Sequence, residues 1–295
     1  MPAISVVIPC YNGGKFLDLP LDSLARQTFR DFEIVIINDG STDQATKDKL
    51  ATLGPSIRVV HQVNKGLSAA RNTGFREAKA DLVLALDSDD QIEPTYLAET
   101  WQAMQSASPE VGFVVTDLRQ VGAARAIERR YVNAFDVLFK NVTGYSMLMR
   151  KSAWQKAGGY DEAMRDGYED WEFNLRLINS GCGGVVIHKP LFVYTVSAQG
   201  MLMSHSSQRH AGLWRRIRTK HRDLYRPMSL LRLYWQNRHA HSEISAAAAI
   251  AALVLTSVLP DKWYSAIVSR MRYHRFTRSN NAAAPAVGSS ALRGN

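Results

Sequence analysis

Three carboxylates fall within four positions at Asp87, Asp89 and Asp90, directly after the apolar run 82–86. An apolar run of that kind reads as a strand covered on both faces in a parallel sheet. Its acidic end then stands at the carboxyl edge, where open α/β sheets bind ligands. Crowded negative charge is unfavourable there unless a cation or hydrogen-bond donors compensate it. A divalent metal carrying a diphosphate is the simplest compensation, because hard cations take oxygen ligands and magnesium commonly shares its shell with phosphates. The plainer account is an acidic turn capping the helix that Glu93-Pro94 begins.

A second acidic pair, Glu169-Asp170, opens a stretch in which Trp171, Leu175 and Ile178 recur at helical spacing, a core-facing stripe. Anions are favoured at a helix N-terminus, and Asp166 with Glu169 fits an Asp-x-x-Glu capping box. That box accounts for Glu169 and leaves Asp170 without a structural duty. Arg176, one turn on, reads as surface charge, with a salt-bridge or phosphate partner as the alternative.

The elements that must position these residues alternate. Runs at 4–8, 32–37, 57–60, 82–86 and 111–115 read as strands, and 16–27 and 67–79 have helical spacing. Such alternation predicts βαβ units and a mostly parallel sheet with right-handed crossovers. After about residue 117 the alternation breaks down, with helices expected over 135–140 and 169–179. The glycine-rich stretch 181–184 reads as a helix C-cap and turn.

With 295 residues, 46% of them hydrophobic, the chain suits one large α/β domain plus an appendage. Cys10 and Cys182 fit neither zinc spacing nor a disulfide framework, so a reducing compartment is expected. Met1-Pro2-Ala3 runs into a strand with no basic stretch, so no signal peptide is expected. Residues 205–278 hold 14 Lys and Arg against 3 Asp and Glu, a local balance of +11, whereas residues 1–204 carry −3. The basicity belongs to the last quarter. Residues 279–295, rich in Ser, Ala, Gly and Asn, read as a disordered tail.

Five ordered motifs resemble those of family 2 glycosyltransferases. They are Ile8-Pro9-Cys10-Tyr11-Asn12, Ile37-Asn38-Asp39-Gly40-Ser41-Thr42-Asp43, Asn64-Lys65-Gly66-Leu67-Ser68-Ala69-Ala70-Arg71-Asn72, Leu86-Asp87-Ser88-Asp89-Asp90 and Glu169-Asp170-Trp171. The resemblance covers roughly residues 3–200. It implies a GT-A fold, α/β with a Rossmann-like mostly parallel sheet flanked by helices, a nucleotide-diphosphate sugar donor and inversion at the anomeric carbon. A transferase domain is expected over 1–204, with a nucleotide-sugar half to about 117 and an acceptor half from 118. A basic helical extension follows over 205–278. The Gln-x-x-Arg-Trp motif of processive synthases is absent, so single-sugar addition is the expected mode.

The resemblance assigns Pro9, Tyr11, Asp39 and Arg71 to the nucleotide pocket, with Asn12, Asn64, Gly66 and Ser88 in the same motifs as further donor contacts. Tyr11 can offer a ring for base stacking, Asp39 can accept from a pyrimidine N–H, and Arg71 can donate to a base carbonyl or a phosphate. Taken alone, Asn38-Asp39-Gly40-Ser41 is ordinary turn chemistry, and Ser41 or Thr42 could cap the next helix. The resemblance further implies that Asp87 contacts the ribose or the metal and that Asp89 coordinates manganese or magnesium. Asp90 either ligates or orients its neighbour. The general base of the family matches Asp170, with Glu169 as the alternative. Some relatives use a late His as a metal ligand or lid, which makes His205 a candidate; otherwise it is an idle exposed side chain.

In the basic quarter, residues 213–226 interleave Arg with Trp214, Ile217, Leu224 and Tyr225, and 246–255 is wholly apolar. That run is short for a span, which needs about 20 residues. Residues 261–278 have the composition of an interfacial amphipathic helix, and packing of a basic helix pair on the core is the alternative. An anionic membrane surface is the expected partner and a glycan or lipid-linked saccharide the acceptor, in cell-surface polysaccharide or glycolipid synthesis. The expected location is the cytoplasm, peripheral on the inner face of the membrane. No nucleic-acid motif accompanies the charge, so nucleic acid is not an expected partner. A dinucleotide oxidoreductase is disfavoured because Gly-x-Gly-x-x-Gly is missing after the first strand. A non-catalytic nucleotide- or membrane-binding scaffold is the remaining alternative, and the presence of Asp87, Asp89 and Asp170 argues against it.

Overall fold

Ile4–Cys10 (β1) is buried at every position, as a strand covered on both faces should be. The computed structural model describes residues 1–196, 209–260, 262, 263 and 266. Within it β1 lies between two parallel neighbours, Phe32–Asp39 (β2) and Leu82–Ala85 (β4), and Ile57–Gln62 (β3) adds outside β2. These are four of the five strands expected from the sequence. The fifth, Val111–Gly122 (β6), is longer than expected because it runs parallel to Gly183–Val196 (β9) along most of its length.

The other strands are Gln91–Ile92 (β5), Ala126–Glu128 (β7) and Met147–Arg150 (β8). The sheet order is β3-β2-β1-β4-β8-β6-β9-β5, with β7 on β6. Antiparallel β8 joins the two parallel parts. Alternation along the strands feeds two cores. Ile4, Val6, Ile8 and Leu84 face Asp18–Ala25 (α1), Gln44–Ala51 (α2) and Tyr96–Ser106 (α4). Val7, Val83 and Phe113 face Leu67–Glu77 (α3), Lys151–Ala157 (α5) and Glu169–Asn179 (α6). The expected α/β class with a mostly parallel, helix-flanked sheet is therefore observed.

One pairing detail makes the site. β4 follows β1 only as far as Val7, whereas β2 follows it to Cys10. Strand order also reverses at β1, so β1 and β4 part at the carboxyl edge and leave a crevice between their loops.

Two local expectations are corrected. The helix expected over 135–140 is only a 3-10 turn at Asp136–Leu138. There Asn133 Oδ1 accepts from the backbone N–H of Phe135 and Asp136, and such side-chain bonds compete with helix propagation. Gly181 does end α6 in a left-handed conformation, but Gly183 and Gly184 belong to β9, where Gly184 makes room for the Phe113 ring.

The basic quarter begins with His210–Lys220 (α7), which buries Ala211, Leu213, Trp214 and Ile217 in the core beside α6. Trp214 Nε1 donates to the Leu138 carbonyl at 2.8 Å. Pro227–Asn237 (α8) and Ala246–Val258 (α9) follow. No helix among the described residues is long and apolar enough to cross a membrane. His205, the tail 279–295 and nearly all of the helix expected over 261–278 lie outside the described residues.

Gly74 brings α3 against β1, since a Cβ there would overlap Val7 Cγ1. A glycine inside a helix costs about 1 kcal/mol relative to alanine, whereas overpacking costs about 1–3 kcal/mol. Gly74→Ala should therefore lower the unfolding free energy in urea by about 1–2 kcal/mol. A gain of stability would show that α3 is free to move off β1.

Candidate active site

The crevice is a cavity of about 510 Å³ between the loops after β1, β2, β3 and β4, the segment before α6, and the end of β9. Pro9, Tyr11, Asp39, Asn64, Gly66, Arg71, Asp87, Ser88, Asp89, Asp90, Glu169 and Asp170 all line it. The structure thus brings together nearly every residue singled out in the sequence. Asn12 does not line it, and His205 lies outside the described residues.

Asn12 serves the walls. With a left-handed backbone (φ 52°), its Oδ1 accepts from the N–H of Thr42 and Asp43, at 2.8 and 3.2 Å, clasping the loop after β1 to the loop after β2. α2 is capped by Asp43, whose carboxylate accepts from Thr46 N, and not by Ser41 or Thr42. Asp39 is 2% exposed and holds the next loop. Its Oδ1 accepts from Gln62 Nε2 at 2.6 Å and Lys65 N at 2.9 Å, and its Oδ2 from Gly66 N at 2.8 Å. Asn64 Nδ2 donates to the Asp39 carbonyl, and Gly66 supplies the φ of +92° that lets the chain turn into α3. Tyr11 is 52% exposed, its ring open to solvent at the rim.

Arg71 is 1% exposed and central. One Nη donates to both Asp87 oxygens at 2.9 Å, and the other to Glu169 Oε1 at 2.8 Å. Its guanidinium lies 4.7 Å from the Tyr145 ring centre and 5.5 Å from that of Tyr160, a cation–π setting. Burial opposes the charge, but Asp87 and Glu169 outweigh it and hold Arg71 well above its ordinary value.

The three aspartates after β4 occupy three different environments. Asp87 is ion-paired to Arg71. Asp90 is 1% exposed, accepting from Thr195 N at 2.7 Å and from the Tyr145 hydroxyl. Its carboxyl is pushed up by burial and then by Asp89 and Asp87. Both of its oxygens are engaged by the fold. Asp89 faces the cavity, and burial, then the charge of Asp87, raise its carboxyl to about 6. No cluster of three or more His, Cys, Asp or Glu with metal-holding geometry occurs among the described residues. A raised, cavity-facing carboxylate beside Asp87 nevertheless fits a hard divalent cation whose other ligands are phosphate oxygens and water.

Across the cavity, Asp170 Oδ2 accepts from Asn141 Nδ2 at 2.7 Å and Oδ1 from Trp171 N at 2.7 Å. Asp170 therefore has a structural partner that the sequence does not announce. Burial raises its carboxyl despite Arg71, Trp171 N–H and Asn141, and burial likewise raises Glu169. The expected capping box is absent. Tyr168 occupies the N-cap in a left-handed conformation, Asp166 accepts from Arg209, and Glu169 turns inward to Arg71. A buried guanidinium is the stronger partner for that carboxylate. Of the accounts of Arg176, the salt bridge is the one observed: it pairs with buried Glu172.

Tyr145, Asn141, Arg165 and Thr195 were not foreseen. Tyr145 sits in the polar turn Thr143-Gly144-Tyr145-Ser146, which read alone signals only a loop. Its contacts with Asp90 and Arg71 arise from the antiparallel placement of β8 beside β4.

Comparison with known proteins gives one family match and related structures. The profile described as Glycosyl transferase family 2 matches residues 5–158. The chain is similar to glycosyltransferase GlyG of Streptococcus pneumoniae, 36% identical over 37% of this chain and 37% of that protein. It is also similar to glycosyltransferase GlyA of the same species, 42% identical over 32% of this chain and 14% of that one. It spans well under two thirds of either relative. Among solved structures, S. aureus TarS 1–349 in complex with UDP-GlcNAc superposes with a TM-score of 0.63 at 18% identity, over 95% of this chain and 91% of that one. Mannosyltransferase PcManGT from Pyrobaculum calidifontis, in complex with GDP-Man and Mn2+, gives 0.53 at 17% identity, over 96% and 87%. At these identities the likeness is one of fold.

The raised Asp89 carboxyl has a stability consequence. A group whose folded value of about 6 exceeds its unfolded value stabilises fully below about pH 4 and loses that contribution as pH rises through 6. Asp89→Asn should therefore raise the melting temperature of the ligand-free, chelator-treated protein at pH 8 by roughly 2–4 °C. That advantage should fade towards pH 4. A pH-independent difference between the two proteins would mean that Asp89 is not the strained carboxylate.

Proposed function

Because the chain belongs to glycosyl transferase family 2, we propose that it is an inverting enzyme moving a single sugar from a nucleotide-diphosphate sugar to a glycan or lipid-linked acceptor. One observation carries the reading: Asp89 and Asp170 open onto the same cavity, while Asp87 and Glu169 between them are tied to Arg71. One side of such a site neutralises a leaving diphosphate and the other removes a proton from the attacking hydroxyl.

In this reading Tyr11 stacks on the base at the rim, and Asp39 with the 64–66 loop frames the nucleotide. Asp89, with Asp87 beside it, would hold manganese or magnesium. When bound, such a cation supplies charge to the departing diphosphate oxygens. Asp170 takes the acceptor proton as the new bond to the anomeric carbon forms. Asn141 fixes its direction, and burial brings its carboxyl closer to working pH, which favours general-base catalysis. One base and one displacement leave no covalent intermediate, so the anomeric centre inverts. A lipid-linked acceptor suits a role in cell-surface polysaccharide or glycolipid synthesis. The basic extension over 205–278 would hold the enzyme peripherally on the cytoplasmic face of the membrane.

Two outcomes test this reading. Asp170→Asn keeps the hydrogen bond from Trp171 N but cannot take a proton. It should lower kcat by about 10²–10⁴ with donor affinity nearly unchanged, the mark of an interaction made in the transition state. A variant within about threefold of wild type, when chemistry limits the rate, would take the role from Asp170 and point to Glu169. Asp89→Ala should abolish the manganese dependence of nucleoside-diphosphate binding measured by calorimetry. Undiminished metal-dependent binding would remove Asp89 from the metal site.

A further inference from the structure

Two helices of the basic quarter carry apolar residues on both sides. α8 turns Leu230, Leu233 and Tyr234 towards the core beneath it. On its other side Met228, Leu231 and Trp235 are 75%, 50% and 53% exposed, at the i, i+3, i+7 spacing of a single stripe. α9 has no charged residue in its 13 positions. Ala249, Ala252 and Leu253 pack inward, while Ile250, Val254 and Val258 are 62%, 54% and 68% exposed at i, i+4, i+8. A helix apolar all round is ordinarily enclosed on every side. Among the described residues this one is covered on one side.

Both stripes belong to one region of the surface. α8 is fixed to residues 134–135 through Asn237 Oδ1, which accepts from Ala134 N, and through the contact of Tyr234 with Phe135. The connector to α9 is fixed to the same segment: Asn133 Nδ2 donates to the His241 carbonyl, Ser242 donates to Asp136, and Lys140 pairs with Glu243. The charge beside the stripes is of one sign. Exposed Arg232 and Arg238 stand on α8 and at its end, with the Arg238 guanidinium 5.0 Å from the Trp235 ring centre. The one acid between 226 and 260, Glu243, is the partner of Lys140.

We propose that α8 and α9 form a monotopic docking face for an anionic phospholipid bilayer. Met228, Leu231, Trp235, Ile250, Val254 and Val258 enter the headgroup–acyl boundary, and Arg232 and Arg238 meet the lipid phosphates. Thirteen residues of helix extend about 20 Å, against a hydrocarbon core of about 30 Å, so α9 lies in the interface and does not cross it. A second copy of this chain is the other occupant an apolar face admits, but a self-paired interface would bring Arg232 and Arg238 into the neighbourhood of their own copies, and like charges oppose that pairing. The inference rests on the peripheral placement proposed above and names the face that produces it.

The test is co-sedimentation of the full chain with vesicles of phosphatidylcholine alone and of phosphatidylcholine with phosphatidylglycerol. The wild-type protein should bind the anionic vesicles, with affinity falling as salt rises. Ile250→Asp combined with Val254→Asp should weaken binding at least about tenfold. Arg232→Gln with Arg238→Gln should weaken it about 25-fold on anionic vesicles alone, at roughly fivefold per charge removed. All four positions are exposed, and an unchanged melting temperature and unchanged nucleotide binding in the cleft would establish that the variants fold. Wild-type protein that ignores anionic vesicles would overturn both this face and the peripheral placement. Wild-type binding that the variants leave intact would overturn the face alone. A concentration-dependent dimer in light scattering, dissolved by the α9 substitutions, would assign the stripe to a second copy instead.

Discussion

The site depends on one buried cation. Arg71 lies on α3 with almost no exposure, and its two amino groups reach Asp87 after β4 and Glu169 at the start of α6. Burying a guanidinium is costly, and its partners repay that cost only when the geometry is good and the remaining polar atoms are satisfied. Here the carboxylates meet its two amino groups at 2.8–2.9 Å and the rings of Tyr145 and Tyr160 flank it, while its Nε has no hydrogen-bond partner among the described residues. Removing either carboxylate would leave one amino group of the buried guanidinium without its partner, and removing the cation would leave two acids facing each other. The arrangement is held together from both sides. It also binds residues 98 positions apart, so the loop after β4 and the start of α6 keep a fixed spacing.

The same bond set separates the acids by task. Asp87 leans on Arg71, Asp90 is bound to Thr195 and Tyr145, and Asp89 is left facing the cavity, where burial and the charge of Asp87 outweigh the relief that Arg71 gives it. Three residues of one type within four positions thus differ through their neighbours alone. Tyr145 joins two of these tasks, since its hydroxyl donates to Asp90 while its ring lies beside Arg71. Its phenol is pushed far up by burial and by the charges of Asp87 and Asp90. It therefore stays protonated and remains a donor.

The parallel half of the sheet was legible because strands covered on both faces write themselves as unbroken apolar runs, as β1 and β4 do. α6 was legible because Trp171, Leu175 and Ile178 repeat at its period, and its bounds agree with the expected 169–179. The order β8-β6-β9-β5 was not, since antiparallel and long-range pairings leave no local periodicity that tells which strand lies beside which. The candidate site followed the same division. Motif residues on loops after strands converge because the topology puts all those loops at one edge. The partners chosen once they converge could not be read: Glu169 takes Arg71 in place of a capping bond, Asp170 takes Asn141, and Asp90 takes Thr195. Each of those choices joins residues at least 29 positions apart.

Asp39 carries a consequence of a different kind. Its carboxylate is the hub that keeps Lys65 and Gly66 in place, while its backbone carbonyl receives Asn64. Any molecule in the cleft that draws on the same oxygens competes with, or reinforces, the order of the 64–66 turn. Linkage is reciprocal: whatever tightens the turn must strengthen the grip on a molecule that reinforces it, and weaken the grip on one that competes, by the same factor. Affinity at this end of the cleft is therefore adjustable from the far side of the turn. Gln62, which donates to Asp39 from the end of β3, is a handle for doing so from within the sheet.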